Sequence, residues 1–216
     1  MTHKLYLVRH AQSQANVDPT VLRDTLNADV ELTRLGREQS QQMARALVNL
    51  VANETRVVLW QSPYRRALQT AEAIKAEFAA RRLRLELLEK QSLYLAERQL
   101  GLLDTNGEYA STHAPELAHY RLHREQGGEF WARPPLGESP FDVCLRVDFF
   151  LKAVLPLHGR CTHILVAHDM TVRAIQMMAL GLPAQAYSAL STPTNASVRL
   201  IDNGVDKGVV IDVSAA

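Results

Sequence analysis

Residues Leu5 to Asn16 read LYLVRHAQSQAN, and the interpretation of this stretch decides the fold. Leu5 to Val8 are apolar and long enough for a short buried strand, and the run stops at Arg9 and His10, two side chains that resist burial unless paired. In open α/β sheets the residues just past the carboxyl end of a strand line the ligand crevice. A cation and an imidazole at that edge are placed to meet an anion, and Ser13, Gln14 and Asn16 add hydrogen-bonding groups without negative charge. Alone, the stretch also fits an edge strand that ends in ordinary surface polar residues. The decision rests on what the other strands deliver to the same place.

Arg56 to Trp60 contains Val-Val-Leu-Trp, a second buried-strand signal. Ser62-Pro63 follows at once and predicts an N-cap with proline at the first helical position. The helix so opened carries Ala67, Ala71, Ile74 and Phe78 as its apolar stripe, with Arg66 in its first turn near the strand end. Thr162 to Ala167 is a further strand that ends at His168. A helix follows through Val172, Ile175 and Met178 to a C-cap at Gly181. Strand ends therefore bring Arg9 with His10, Arg66, and His168 toward one side of a sheet. Alternation of strands and helices makes that sheet mainly parallel and the fold α/β.

The intervening segments fill in this frame. Val17 to Val30 is polar, contains Pro19 and reads as a loop beside the crevice. Thr33 caps a helix ending near Asn53, with Leu35, Met43, Leu47, Leu50 and Val51 at helical spacings. Leu85 to Leu88 is a weak strand. From Gly101 to Gly137 regularity fades; Pro115 opens a short helix there, Arg133-Pro-Pro ends it, and residues 97–137 read as a cap-like insertion. Ser139-Pro140 starts another helix, with Phe141, Leu145, Phe149 and Lys152 on one line. Val198 to Ile201 and Val209 to Val213 form two strands around the turn Asn203-Gly204.

Composition bounds the function. A chain of 216 residues, 47% of them hydrophobic, predicts one globular domain, residues 1–216, able to bury a full core. A net charge of +1 from 24 basic and 23 acidic residues argues against nucleic-acid and membrane partners, which call for clustered Lys and Arg. Cys144 and Cys161 are the only cysteines, which suits reduced thiols in a cytoplasm. No apolar run approaches transmembrane length, and the first residues offer no signal-peptide core.

The convergent groups suit a phosphorylated small molecule. Two arginines can fork onto phosphate oxygens and an imidazole can attack or bind the phosphoryl group. Transfer to an imidazole leaves an alkoxide, so a carboxylic acid near that oxygen lowers the barrier. Glu97, at the start of the irregular segment, is the best-placed acid.

The motifs LVRHAQSQAN, ELTRLGREQ, SPYRRALQTAEAI, LAERQLG, GES and LVAHDMTVRAI, in this order, resemble the histidine phosphatase superfamily, which includes cofactor-dependent phosphoglycerate mutases. The resemblance covers nearly the whole chain and implies a three-layer α/β/α sandwich of the phosphoglycerate mutase-like type. Carried over residue by residue, His10 matches the nucleophile that becomes phosphohistidine. Arg9, Arg66 and His168 match its phosphate pocket, Ser13 and Asn16 match polar groups nearby, Glu97 matches the proton donor and Arg98 a substrate-contacting residue of the mutases. The implied activity is hydrolysis of a phosphomonoester without metal or other cofactor. Phosphoglycerate mutase activity and a non-catalytic interaction protein are the alternatives.

Departures from the family pattern bear on activity. Ala11 stands where glycine usually follows the nucleophile, and Asp169 where glycine usually follows the late histidine. A carboxylate there repels substrate unless it points away or pairs with a cation. Glu97-Arg98-Gln99-Leu100-Gly101 lacks the His-Tyr of the mutases, and no Lys or Arg occurs from Gln99 to His119. His119 and His123, spaced four apart, lack the accompanying glutamate of a helical metal site. His3, His113, His158 and His163 read as surface or strand-flanking residues, and Trp60 as core.

Overall fold

The computed structural model describes residues 4–103 and 113–214. Its strands are β1 (Lys4–Arg9), β2 (Arg56–Gln61), β3 (Glu86–Gln91), β4 (Thr162–Ala167), β5 (Val198–Asp202) and β6 (Val205–Ile211). Its α-helices are α1 (Gln14–Val17), α2 (Arg34–Val51), α3 (Arg65–Arg81), α4 (Ala114–Gly127), α5 (Pro140–Phe149) and α6 (Asp169–Leu180). The strands form one sheet in the order β3-β2-β4-β1-β5-β6. The first four of these run parallel, and β5 and β6 are antiparallel additions at one edge.

Period-two alternation sorts side chains to the two faces. Tyr6 and Val8 of β1, Val57 and Leu59 of β2, and Ile164 and Val166 of β4 pack with Met43 and Leu47 of α2 and Ile74 of α3. Leu7, Val58, Trp60 and Leu165 face the other way, onto Val143 and Val147 of α5 and Ile175 of α6. The result is a three-layer α/β/α sandwich. Central strand β4 is buried along its whole length, the pattern expected of a parallel strand covered on both faces. His163 within it is therefore not a surface residue: it is fully buried, and Trp60 Nε1 donates to its Nδ1 at 3.1 Å.

Several helix faces differ from the sequence expectation, for identifiable reasons. On α2, Leu35 and Leu50 are exposed, whereas Gly36, Ser40, Met43, Ala44, Leu47, Val48 and Val51 face inward. A Cβ on Gly36 would lie 2.0 Å from the Gln12 carbonyl oxygen. That backbone approach sets the rotation of the helix and turns Leu35 out. On α5, the buried side is Val143, Cys144 and Val147, while Leu145 and Phe149 are exposed. Phe141 and Phe149 instead meet other aromatics, Trp131 at 4.8 Å and Tyr94 at 5.4 Å between ring centroids. Strand β6 starts directly after Asn203-Gly204 and shifts register against β5, which hides it from a simple alternation pattern. The segment 18–30 contains two 3₁₀ turns, Pro19–Arg23 and Asn27–Asp29. In the region of the expected insertion, α4 ends at Gly127, ahead of Arg133, and residues 104–112 lie outside the described residues.

The Gly36 contact ties α2 to the loop after β1. Thr33 Oγ1 caps Gly36 N at 2.9 Å and also donates to Gln12 Oε1 at 2.7 Å, and Gln39 Oε1 accepts from Gln12 N at 3.0 Å. Gly36→Ala is expected to lower unfolding free energy by about 2 kcal/mol through overpacking, outweighing alanine's better helix propensity. Urea denaturation of the variant checks this, and an unchanged or raised stability would show that the loop yields without cost.

Candidate active site

At the end of β1 the chain delivers Arg9 and His10 beside the end of β4: His10 N donates to Ala167 O at 2.9 Å. His10 is almost fully buried. Its Nδ1 lies 2.7 Å from the Ala11 carbonyl oxygen, which can only accept, so the proton resides on Nδ1. The lone pair is then on Nε2, and Arg66 Nε donates to it at 3.2 Å. Arg66 reaches this position from the first turn of α3, and its Nη1 donates to the Asn27 carbonyl at 2.6 Å. Tyr64 supports the same guanidinium, with the Arg66 Cζ 5.0 Å above its ring centroid.

His168 sits between β4 and α6 with no exposed surface, its ring centroid 5.1 Å from that of His10. Its Nε2 is 2.7 Å from Ser62 Oγ, and Ser62 Oγ accepts from Tyr64 N at 3.3 Å. The serine hydroxyl is thus free to donate to Nε2, leaving a proton on Nδ1 that faces the site. Ser62 is consequently not the cap of α3. That helix begins at Arg65 behind Tyr64, without a side-chain cap, because the hydroxyl holds His168 instead. The serine looked like a helix start in the sequence, and only its distant partner reveals the other use.

Burial holds both imidazoles well below their ordinary titration range, with the Arg66 charge next in effect for each. Both are therefore neutral near pH 7. Arg9 Nη1 donates to the Pro193 carbonyl at 2.5 Å, while Arg9 Nε and His168 Nδ1 are buried without a hydrogen-bond partner. Two orphaned donors in a positive pocket call for an anionic acceptor.

Glu97 approaches from the segment after β3: its Oε2 is 4.0 Å from His168 Nδ1, and its Oε1 accepts from Arg98 N at 2.8 Å. Burial raises its pKa and the nearby Asp169 adds to the rise, against the pull of the Arg98 amide, Arg66 and Arg9. Arg98 is itself buried; its Nε donates to the Glu138 carbonyl at 2.6 Å. Ser13 and Asn16, close after His10 in the chain, differ in burial. Ser13 is buried and donates through N and Oγ to Asn16 Oδ1, both at 3.0 Å, while Asn16 is exposed. Asn195, which no motif marked, donates to both Asn16 Oδ1 and the His10 carbonyl at 3.1 Å. His119 and His123 stack 6.3 Å apart on exposed α4, and no third ligand joins them among the described residues.

Comparison with known proteins agrees with this constellation. The sequence profile of the histidine phosphatase superfamily (branch 1) matches residues 5–214. This chain belongs to that superfamily. The phosphoglycerate mutase-like protein AT74 of Arabidopsis thaliana is 27% identical over 93% of this chain, which spans 65% of that protein's length. Phosphoserine phosphatase 1 of Hydrogenobacter thermophilus is 27% identical over 98% of this chain and 92% of its own. A mycobacterial glucosyl-3-phosphoglycerate phosphatase solved with VO3 superimposes with a TM-score of 0.65 at 26% identity, covering 97% of this chain and 98% of that one. The relatives are phosphoglycerate mutase-like proteins and phosphatases, and the named phosphatases among them support a phosphoric monoester hydrolase.

Against this superfamily's pattern, Ala11 is harmless: its φ is not positive, and its amide donates to Thr70 Oγ1 at 3.1 Å. Asp169 opens α6 as a partly buried carboxylate; burial raises its pKa, and Arg9 and Arg173 offset the rise. The repulsion anticipated from the sequence is thus tempered by two cations.

The neutral histidines carry a pH signature. Below about pH 6.5 the unfolded chain binds protons that the buried imidazoles refuse, so stability falls with pH, by up to about 1.4 kcal/mol per pH unit for each group. His10→Gln removes one such group. Its stability, followed by urea denaturation from about pH 7 to pH 5, should fall less steeply than that of the parent; equal slopes would contradict a neutral His10.

Proposed function

We propose that this chain hydrolyses the phosphomonoester of a small molecule through a phosphohistidine intermediate, with His10 as nucleophile. The observation that carries the reading is the unprotonated Nε2 of a buried His10 facing the Arg66 guanidinium at 3.2 Å. A phosphate dianion entering this space takes over the guanidinium contact and accepts from Arg9 Nε and His168 Nδ1. The nucleophile's lone pair is then released toward phosphorus, in line with the ester oxygen.

In the first step the His10 Nε2–P bond forms as the P–O ester bond breaks, and Glu97 gives its proton to the departing oxygen. The resulting carboxylate then takes a proton from water, whose oxygen attacks phosphorus and releases inorganic phosphate with His10 restored. Elevation of the Glu97 pKa by burial suits the first role. The charge of the phosphoryl group is met by arginines, so we expect activity to survive EDTA. Residues 97–137 serve as the cap that meets the alcohol part of the substrate, with Arg98 on its inner side, within one domain.

Kinship to AT74 keeps phosphoglycerate mutase activity as the second reading. A mutase must shield its phosphohistidine from water and hold a doubly anionic intermediate. The cap's cations beyond Arg98 favour the hydrolase: Arg133 pairs with Asp142, Arg124 with Glu129 at 3.3 Å, and Arg121 is exposed. We read the chain as cytoplasmic, acting without nucleic-acid or membrane partners; both cysteines are free, and among the described residues no helix is long and apolar enough to cross a membrane.

The phosphoenzyme decides the mechanism. Brief incubation with a labelled phosphodonor is expected to leave acid-labile label on the parent protein and none on His10→Ala, which loses phosphate release altogether. Label retained in folded His10→Ala would reject the nucleophile. For the choice of reaction, 3-phosphoglycerate with a bisphosphoglycerate primer should yield free phosphate as the main product. Conversion to 2-phosphoglycerate that far outruns phosphate release would establish the mutase.

A further inference from the structure

Glu97 lies in an irregular segment, outside any helix or strand, yet a proton donor must be held within a fraction of an ångström of its working position. One guanidinium links the backbone on both sides of it. Arg146, on α5, donates through Nη1 to the Tyr94 carbonyl at 2.6 Å and through Nη2 to the Ala96 carbonyl at 2.9 Å. The same guanidinium grips Glu138, with Nε to Oε1 at 2.9 Å and Nη2 to Oε2 at 3.3 Å. Thr171 on α6, fully buried, supplies a second donor to the Ala96 carbonyl at 2.7 Å.

Glu138 continues the brace on the other side of Glu97. Its Oε2 accepts from Gln99 N at 3.0 Å, its carbonyl from Arg98 Nε at 2.6 Å, and its own amide donates to the Gln99 carbonyl at 2.7 Å. The two segments run so close that a Cβ on Gly137 would lie 2.7 Å from the Gln99 oxygen. Residues 94 and 96 are thus tied to Arg146, residues 98 and 99 to Glu138, and the two are tied to each other by a largely buried bidentate ion pair with side-chain exposures of 18% and 23%. Glu97 is the one residue between the two ties.

We propose that Arg146, acting through Glu138 and the Ala96 carbonyl, is the positioning residue of the proton donor. It touches no substrate; it fixes the backbone on both sides of Glu97 so that the carboxyl meets the leaving oxygen. The inference rests on Glu97 being that donor. A forked guanidinium is required because one group must satisfy two carbonyls and a carboxylate at fixed angles, which a lysine cannot reproduce.

Leaving-group chemistry separates this role from a purely structural one. Phenyl phosphate releases a basic oxygen that needs the proton, whereas p-nitrophenyl phosphate releases an anion stable without it. Arg146→Gln is expected to lose about tenfold or more in kcat/KM on phenyl phosphate and to remain close to the parent on p-nitrophenyl phosphate. Guanidinium ion added to Arg146→Ala should restore part of the phenyl phosphate activity. Equal effects on both substrates, including none, would overturn the proposal. If Arg146→Gln fails to fold, Glu138→Gln, which keeps shape and one acceptor, must show the same selective loss, and a non-selective result overturns the proposal equally. Glu97→Gln, run in parallel, identifies what has failed. Its own selective loss alongside a non-selective Arg146 variant rejects the brace alone, and a non-selective loss in Glu97→Gln rejects Glu97 as donor.

Discussion

The contact on which the site depends is the hydrogen bond from Arg66 Nε to His10 Nε2. Two groups that prefer to be cationic share a buried space, and one of them must surrender its charge. His10 does so because burial disfavours its charged form and the neighbouring guanidinium, which cannot deprotonate, adds to the effect. Around this pair His168 is buried, Arg9 keeps a nitrogen unsatisfied, and the nearby carboxyl groups are Glu97 and Asp169, each with its pKa raised by burial. In the proposed mechanism, binding the dianion and arming His10 are one event, since the incoming oxygens draw the guanidinium off Nε2.

Placement of these groups follows from sheet topology. Neighbouring strands β4 and β1 end at the same level, with Arg9 opposite Ala167. The positive end of α6 begins beside them, adding its dipole to the anion field. Much of this was legible in the sequence because each strand is an apolar run that stops at a charged or imidazole residue. Arg9, His10 and His168 are legible that way and Arg66 from the first turn of the helix after β2, and the structure brings them together. The three-layer fold was legible for the same reason: buried parallel strands alternate with helices whose stripes are apolar.

What stayed hidden depended on partners far away in sequence. Ser62 looked like a helix cap because serine before proline usually is one, and its bond to His168 spans 106 positions. Asn195 sits in a loop that no motif marks, yet it fastens the His10 carbonyl. The face of α5 was misjudged because phenylalanines at helical spacing look like core; here they stack on Trp131 and Tyr94 at the rim, while smaller Val143 and Val147 meet the sheet. Hydrophobicity says that a side chain avoids water, and leaves open which neighbour shelters it.

The loop ahead of β5 has a consequence for how the chain becomes functional. Pro193 receives Arg9, Asn195 and Ala196 both donate to the His10 carbonyl, and Ser197 accepts from the Arg9 amide. The amino-terminal strand β1 and His10 after it are thus clasped by residues some 184 or 185 positions later. Contacts of such separation cost loop-closure entropy before they stabilise the chain. On the ribosome the first strand emerges long before its clasp. A nascent or carboxyl-truncated chain therefore carries Arg9 and His10 without the hydrogen bonds that fasten them.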